Sequence, residues 1–241
     1  MDMRNLENLT LYQKECVMLG AICQGMESWW SVNATRESRL ISRKAVAMII
    51  DYCDAYLEGN EKSTEKIHTA LEFAEQAIRM TQTSAVYAMS CRLSVLYKIP
   101  QERAAFVCLP YVWEYMIENI GDNTELAKVF EHIACALNCE NAQEGKEYLK
   151  AIHRELFGQE KVTVNPADIP LLVKSVNAEQ LKNNPVKLDE NTLTKLYTNI
   201  LEELQYSTGK KSIGQKIISF LGKCFAGYVP SPEAVIYRDR V

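Results

Sequence analysis

The sequence contains no long hydrophobic run: nowhere do roughly 18 apolar residues follow one another, which is the minimum for a membrane-spanning helix. Its first ten residues, MDMRNLENLT, mix charged and polar side chains where a secretory signal has a cationic end followed by an apolar stretch. We therefore expect a cytoplasmic protein.

A surplus of positive charge is also missing. The chain has 27 lysines and arginines against 31 aspartates and glutamates, a formal net charge of −4 and an isoelectric point near 5.6. Proteins that bind nucleic acid usually carry a basic surface, so we expect no nucleic-acid partner. With 47% hydrophobic and 24% charged residues, the 241-residue chain has the composition of a folded globular protein with one substantial core.

Glycine-rich loops and clustered cysteines are absent as well. No glycine-rich phosphate-binding loop occurs, so the sequence offers no recognisable site for a nicotinamide cofactor. The eight cysteines are scattered through helical-looking segments and do not show the spacing of a disulfide framework, which favours reduced and buried thiols.

What the sequence does contain is helical periodicity. Apolar residues recur every three or four positions in six segments, which are 14–30, 38–57, 64–97, 102–118, 125–138 and 143–157. A last amphipathic helix is predicted at 190–204. No alternating strand pattern is present, so the fold is predicted to be all-α.

Polar residues and prolines mark where these helices begin and end. Side chains of asparagine, serine, threonine and aspartate accept hydrogen bonds from the free N–H groups of a first helical turn. N-caps are predicted at Ser63 or Thr64, at Asn123 or Thr124, and at Asp189. Prolines at 166, 170 and 185 allow only brief helical turns, and the asparagines of QLKNNPVKL are predicted to bond backbone groups in a turn.

Residues 207–241 are predicted to form a separate unit. On a helical wheel, an apolar face contains Ile213, Ile217, Phe220, Leu221 and Cys224, and Lys210, Lys211, Lys216 and Lys223 lie outside it. A short basic amphipathic helix of this kind can contact an anionic membrane through residues 210–225, or a groove on a partner. We favour docking on the chain's own domain, followed by an extended tail.

Two local patterns are interpreted as packing. Trp29 and Trp30 are adjacent and point in different directions from one helix, so we expect at most one of them to face the core. His132, Cys135 and Cys139 share one helical face, which we expect to be a core-facing stripe because a closed zinc site needs four ligands.

Four segments resemble one known family. They are MESWWSVNATRESR (26–39), AIRMTQTSAVYAMS (77–90), YKIPQERAAFVCLPYVWEYM (97–116) and SVNAEQLKNNPVKL (175–188). They look like the helical half of iron-type, metal-dependent alcohol dehydrogenases, and most like the subgroup that includes phosphonoacetaldehyde reductases. The resemblance implies that residues 1–206 form a helical domain of the dehydroquinate synthase-like fold, without the family's nucleotide-binding domain.

The resemblance also implies where the family holds its metal. Members bind iron or zinc through one aspartate and three histidines, and these positions correspond here to Gly20, Gln24, Tyr87 and Gln101, with a further substrate-side histidine replaced by Cys91. Glycine has no side chain, a carboxamide is a weak donor, and a phenol with a pKa near 10 stays protonated. We therefore expect a lost metal site, no iron, zinc or NAD(P), and no catalytic residue.

Two functions are compatible with these expectations. The favoured one is a non-catalytic homologue that acts as a binding or scaffolding domain, with a protein partner or a second copy of the chain covering the surface that the nucleotide-binding domain occupies in the family. The alternative is an alcohol dehydrogenase-like oxidoreductase subunit that binds a small polar or phosphorylated molecule and needs a separate NAD(P)-binding partner. Its cleft residues would be Gln24, Tyr87, Cys91, Gln101 and Arg103.

Overall fold

The computed structural model describes residues 6, 8–158, 160 and 162–205, most of which are helical. In chain order the helices are α1 (Leu11–Trp30), α2 (Arg36–Leu57), α3 (Glu61–Thr81), α4 (Ala85–Tyr97), α5 (Gln101–Glu118), α6 (Thr124–Ala136), α7 (Ala142–Phe157), a 3-10 helix (Pro166–Asp168), α8 (Ile169–Lys174), α9 (Ala178–Lys182) and α10 (Glu190–Gln205). No strand occurs in this part of the chain, so the all-α prediction is confirmed. The segment predicted at 207–241 lies outside the described residues.

Two helices, α1 and α5, form the centre of the domain. α1 packs against α2, α3, α5 and α6, and α5 packs against α1, α4, α7 and α10. Each buries residues around most of its circumference, as expected for a helix enclosed by others. In α5 the whole stretch 103–113 is buried. The candidate site described below has these two helices as walls, so it is built on the core.

Both tryptophans at the end of α1 are buried. The prediction that at most one faces the core is wrong, because α1 has neighbours on several sides and both directions lead into packed protein. The Trp30 ring lies edge-on to Phe130, with ring centres 6.3 Å apart. Its indole N–H donates a hydrogen bond to the Ser84 hydroxyl at 3.3 Å, which ties α1 to the start of α4.

The predicted helix starts at Asn123 and Asp189 are confirmed. Each side chain accepts a hydrogen bond from the backbone N–H three residues further on, at 3.0 Å and 2.8 Å. The start predicted at Ser63 or Thr64 is wrong, because α3 begins earlier and its N-cap is Asn60. The Asn60 side-chain oxygen accepts from the backbone N–H of Ser63 at 3.0 Å and from its hydroxyl at 3.2 Å.

The helix predicted over 64–97 is interrupted at residues 82–84. Gln82 has a left-handed backbone with φ of 63°, and α4 begins only at Ala85. A non-glycine residue in this conformation is uncommon and is disfavoured by contact between its Cβ and the following carbonyl. The turn therefore needs support from elsewhere in the fold.

Asn183 supplies that support. Its side-chain amide donates to the backbone carbonyls of residues 81, 82 and 83 at 2.8, 3.0 and 3.1 Å, and its side-chain oxygen accepts from the Ser31 hydroxyl at 2.5 Å. The neighbouring Asn184 donates to the Val186 carbonyl at 2.6 Å, so the turn predicted for QLKNNPVKL is confirmed. One buried side chain thus joins the end of α1, the turn between α3 and α4, and the segment after α9.

The described residues contain neither a disulfide nor a membrane-spanning candidate. Their seven cysteines are free thiols, and all but Cys91 and Cys135 are buried, in agreement with the expected reduced state. No helix between residues 6 and 205 combines the length and the apolar composition needed to cross a membrane.

Candidate functional site

Gly20 and Gln24, the first two positions that the resemblance assigns to metal ligands, line one open cleft of about 250 Å³. Its other walls come from α3 and from the start of α5. The polar side chains around it are Gln24, His68, Glu72, Glu75 and Glu102. His68 Nδ1 lies 3.6 Å from Glu72 Oε1. The cleft therefore offers mostly acidic groups to whatever enters it.

Gly20 leaves the space that Glu102 occupies. A Cβ atom at position 20 would lie 2.7 Å from Cγ and 3.2 Å from Cβ of Glu102, closer than side chains normally approach. Any larger residue at position 20 therefore requires Glu102 to move. The aspartate that the resemblance implies here has no room beside the present Glu102.

The other two positions, Tyr87 and Gln101, lie near the starts of α4 and α5 and are linked through Cys91. The Gln101 amide donates to the Ser90 hydroxyl at 2.6 Å and lies 3.9 Å from the Cys91 sulfur. The Cys91 thiol donates to the Tyr87 carbonyl at 3.3 Å. The structure thus brings Tyr87, Cys91 and Gln101 together, and the Gln101 amide already has a protein partner.

The acidic groups of this cluster hold their protons. Burial raises the pKa of the Cys91 thiol, although hydrogen bonds with Tyr87 and Gln101 act in the opposite direction. The nearby Cys91 and partial burial raise the pKa of the Tyr87 phenol. At neutral pH Cys91 is therefore a thiol rather than a nucleophilic thiolate, and Tyr87 is a neutral phenol.

Glu27, which sequence reasoning missed, fixes the position of α4. The residue is only 2% exposed. One of its oxygens accepts hydrogen bonds from the backbone N–H groups of Ser84, Val86 and Tyr87 and from the Ser84 hydroxyl, at 2.7 to 3.3 Å. Ser84 gives α4 no side-chain cap, so Glu27 caps it from a different helix. The signal in the sequence is a glutamate inside the apolar run GMESWW.

Arg103 lies outside the cleft predicted for it. The buried guanidinium pairs with Glu160 and lies 4.4 Å from the centre of the Phe157 ring. It lines a separate depression together with Tyr12 and Tyr97. The structure therefore does not bring Arg103 to Gln24 and the acidic side chains.

The side chains present do not fit an iron or zinc ion. Across the described ranges, no group of three or more histidine, cysteine, aspartate or glutamate side chains is arranged to hold a metal. Gly20 offers no donor and the Gln101 amide is engaged. His132 and Cys135 lie on α6, but α6 ends before Cys139, so the three do not form one helical face.

The family assignment follows from comparison with known proteins. The profile of the C-terminal part of the Fe-containing alcohol dehydrogenase family matches residues 16–201. The chain belongs to the Fe-containing alcohol dehydrogenase family, and its helical domain is the C-terminal domain of that family. The comparison with curated protein sequences finds no match.

Solved structures share this fold at low sequence identity. An iron-containing alcohol dehydrogenase from Thermotoga maritima has a TM-score of 0.70 and 23% identity over 83% of this chain and 52% of its own. One from Thermococcus thioreducens has a TM-score of 0.73 and 19% identity, covering 83% and 53%. A sulfoacetaldehyde reductase from Bifidobacterium kashiwanohense, in complex with NAD+, has a TM-score of 0.71 and 17% identity, covering 83% and 53%. The chain spans about half the length of each, and the likeness establishes the fold.

Proposed function

We propose that this chain is a non-catalytic homologue of iron-type alcohol dehydrogenases and acts as a binding or scaffolding domain. One observation carries the proposal: at the four positions that the resemblance assigns to metal ligands stand Gly20, Gln24, Tyr87 and Gln101. Glu102 takes the space beside Gly20, and the Gln101 amide is bonded to Ser90. Without a cation, nothing in the cleft polarises an alcohol oxygen for hydride removal.

The charge of the cleft weakens the oxidoreductase alternative. A small phosphorylated or phosphonate substrate needs cationic or amide donors around it. The cleft instead contains Glu72, Glu75 and Glu102, which repel an anion, and the arginine expected to bind it pairs with Glu160. The phosphonoacetaldehyde reductase-like subgroup and a cytoplasmic location both stay predictions.

An exposed stripe on α4 supports a partner or a second copy of the chain. Tyr87, Cys91 and Val95 are spaced four residues apart and therefore lie on one face of the helix. The Tyr87 and Val95 side chains are 38% and 68% exposed. An exposed stripe of this kind suits contact with another protein surface.

Metal loading tests the loss of the metal site. The purified chain is incubated with Zn²⁺ or Fe²⁺ under reducing conditions, freed of unbound metal and submitted to elemental analysis. We expect well below one equivalent per chain, because the four positions lack anionic or imidazole donors. The matched positive control is the variant G20D/Q24H/Y87H/Q101H with Glu102→Ala, which restores the family's donors and clears space for the aspartate. One tightly held equivalent in the unaltered chain would overturn the proposal.

Ligand-dependent melting tests the alternative separately. We expect no change in melting temperature with NAD+, NADP+ or small phosphonates, because ligands stabilise only the proteins that bind them. A concentration-dependent rise with a phosphonate would support the oxidoreductase-like subunit, whatever the metal content.

A further inference from the structure

The depression around Arg103 shares no lining residue with the acidic cleft. Its volume is about 380 Å³, which lies within the range of roughly 300 to 1,000 Å³ that small-molecule sites have. Its walls come from the start of α1, the end of α4, the start of α5 and the segment that follows α7. The polar residues that line this Arg103 depression are Tyr12, Tyr97, Lys98, Arg103, Glu160 and Thr163.

Arg103 is a buried cation whose anionic partner is half exposed. The Arg103 side chain is 2% exposed, whereas that of Glu160 is 52% exposed. Two other contacts also hold the guanidinium: it lies 4.4 Å from the centre of the Phe157 ring, and one of its amino groups donates to the backbone carbonyl of Glu160 at 3.3 Å. Only the Glu160 side chain therefore has to move for another anion to reach Arg103.

Exchange of one carboxylate for another avoids the main cost of opening this pair. Removing the partner of a buried charge is strongly destabilising because it leaves that charge uncompensated, but an incoming carboxylate keeps Arg103 paired throughout. The Glu160 carboxylate that it releases is already half in solvent. Glu160 still competes for Arg103, since a group tethered by a short segment has an effective concentration in the millimolar range. The free chain should therefore bind such a ligand weakly.

The rest of the lining indicates what the carboxylate should be attached to. The Tyr97 hydroxyl donates to Asp168 at 3.1 Å, so the Tyr97 ring is what this residue offers to a ligand. The apolar residues of the depression are Leu96, Ile99 and Val162. An aromatic ring beside aliphatic side chains favours a ligand with an apolar body over a bare inorganic anion.

Two further groups favour a negative charge at the head of that ligand. Lys98 is exposed and adds a second cation to the lining. Burial raises the pKa of the Tyr12 phenol, although the neighbouring Arg103 acts in the opposite direction, so the phenol keeps its proton and can donate a hydrogen bond. One guanidinium, one ammonium and one phenol around an apolar wall suit a single carboxylate.

We propose that the Arg103 depression binds a small organic carboxylate with an apolar body, and that the ligand's carboxylate replaces Glu160 on the Arg103 guanidinium. Glu160 is then the internal competitor that occupies the guanidinium in the free chain. This site is separate from the acidic cleft, so the proposal does not depend on the loss of the metal site.

A two-dimensional NMR titration of the full chain with benzoate tests both the place and the exchange. We expect millimolar binding to the parent, with shifts of the backbone N–H signals of residues 96–99 and 162–163, and several-fold tighter binding to Glu160→Gln, which removes the competing charge. Benzamide has the same shape without the charge and should shift none of these signals. Benzoate shifts confined to other residues, equal affinity in the two proteins, or binding to the variant alone would overturn the proposal.

Thermal unfolding provides a second readout. Glu160→Gln leaves Arg103 buried without an anion, so we expect its melting temperature to fall by several degrees and benzoate to recover more than half of that loss. The matched control is Glu125→Gln, which breaks an exposed pair with Lys128; its melting temperature should fall less and should not respond to benzoate beyond the parent's response.

Anion controls for the melting experiment are inorganic phosphate and chloride at the same ionic strength. Both should restore less of the melting temperature of Glu160→Gln than benzoate does, because neither has an apolar body. Equal recovery with phosphate would overturn the assignment to an apolar carboxylate, and no recovery with any anion would overturn the site itself. Since Glu160 does not line the acidic cleft, a phosphonate effect that originates in that cleft is the same in the parent and in Glu160→Gln.

Discussion

Two glutamates on the same helix, Glu27 and Glu15, have opposite surroundings. Both are buried, and burial raises the pKa of each. Around Glu27, four hydrogen bonds from residues 84–87 oppose that rise. Around Glu15 the described residues supply neither a donor nor a cation, and the Glu160 carboxylate adds repulsion.

The difference separates a carboxyl group with a structural role, Glu27, from one that receives no hydrogen bond from the described residues, Glu15. Glu27 accepts hydrogen bonds from the first turn of α4 and so fixes the helix that carries Tyr87 and Cys91. Glu15 stabilises no described element, and it lines an apolar cavity between α1, α2 and α7. Burial alone therefore does not tell which buried charges a fold depends on; the donors around each charge do.

The largest expected effect is that of Glu27→Ala. The change leaves three backbone N–H groups at the start of α4 buried without an acceptor, and each such group costs about 1 to 3 kcal/mol. We expect the free energy of unfolding, measured with urea, to fall by about 3 kcal/mol or more. Glu27→Gln is the control: it keeps an acceptor oxygen and should lose less than half as much. An alanine variant within about 0.5 kcal/mol of the parent would show that Glu27 does not cap α4.

The second prediction concerns Glu15 and pH. Its pKa is about 7 in the folded chain against about 4.3 unfolded, so the folded state binds more protons between these values. The contribution of Glu15 to the free energy of unfolding is therefore fully present below the unfolded pKa, and it is lost as the pH rises through 7. We expect Glu15→Gln to remove this dependence of stability on pH. The free energy of unfolding of the variant minus that of the parent should therefore increase by about 2 kcal/mol between pH 5 and pH 8.

Urea titrations of the parent and of Glu15→Gln at pH 5 and pH 8 measure how this difference in free energy of unfolding changes with pH. Glu131→Gln, which removes the same charge from an exposed position on α6, is the matched control and should show no comparable growth. If Glu15→Gln behaves like Glu131→Gln, burial does not raise the pKa of Glu15 in the folded chain.

The smallest effect is expected at Gly20, which lies on α1 between the two glutamates. Gly20→Ala raises helix propensity by about 1 kcal/mol. The new Cβ also forces Glu102 to move into the open cleft, and the cost of this movement opposes the gain. The free energy of unfolding should therefore change by no more than about 1 kcal/mol. The control is Gly145→Ala, whose Cβ would lie 2.8 Å from the buried Trp113 ring. That ring has no free space, and we expect a loss of about 2 kcal/mol in thermal or urea unfolding. Equal losses would mean that Glu102 is as tightly packed as Trp113.

The fold could be predicted because its signals are local. Helical periodicity and the caps at Asn123 and Asp189 depend on residues within one turn of each other, and the structure confirms them. The break before α4 could not be predicted in this way, because its supports are Glu27 and Asn183, which lie far away in sequence.

The candidate site was predicted only in part, again for a geometric reason. Gly20 and Gln24 are one helical turn apart and do line the same cleft. Gln101 and Arg103 are two residues apart on α5, about 200° around the helix axis, so they face opposite ways and only Gln101 reaches Ser90 and Cys91. A helical wheel of α5 places Gln101 and Arg103 on opposite faces, whereas the prediction treated both polar residues as part of one cleft. The acidic side chains of α3 carried no motif that would place them in the cleft.

The bond between Asn183 and Ser31 joins positions 152 residues apart. On a ribosome that adds about 5 to 20 residues per second, roughly 8 to 30 seconds pass between the synthesis of these two residues. Until Asn183 has been synthesised, the Gln82 carbonyl lacks the amide that donates to it in the folded chain, so the nascent chain completes the junction between α3 and α4 only after nearly the whole domain has been translated.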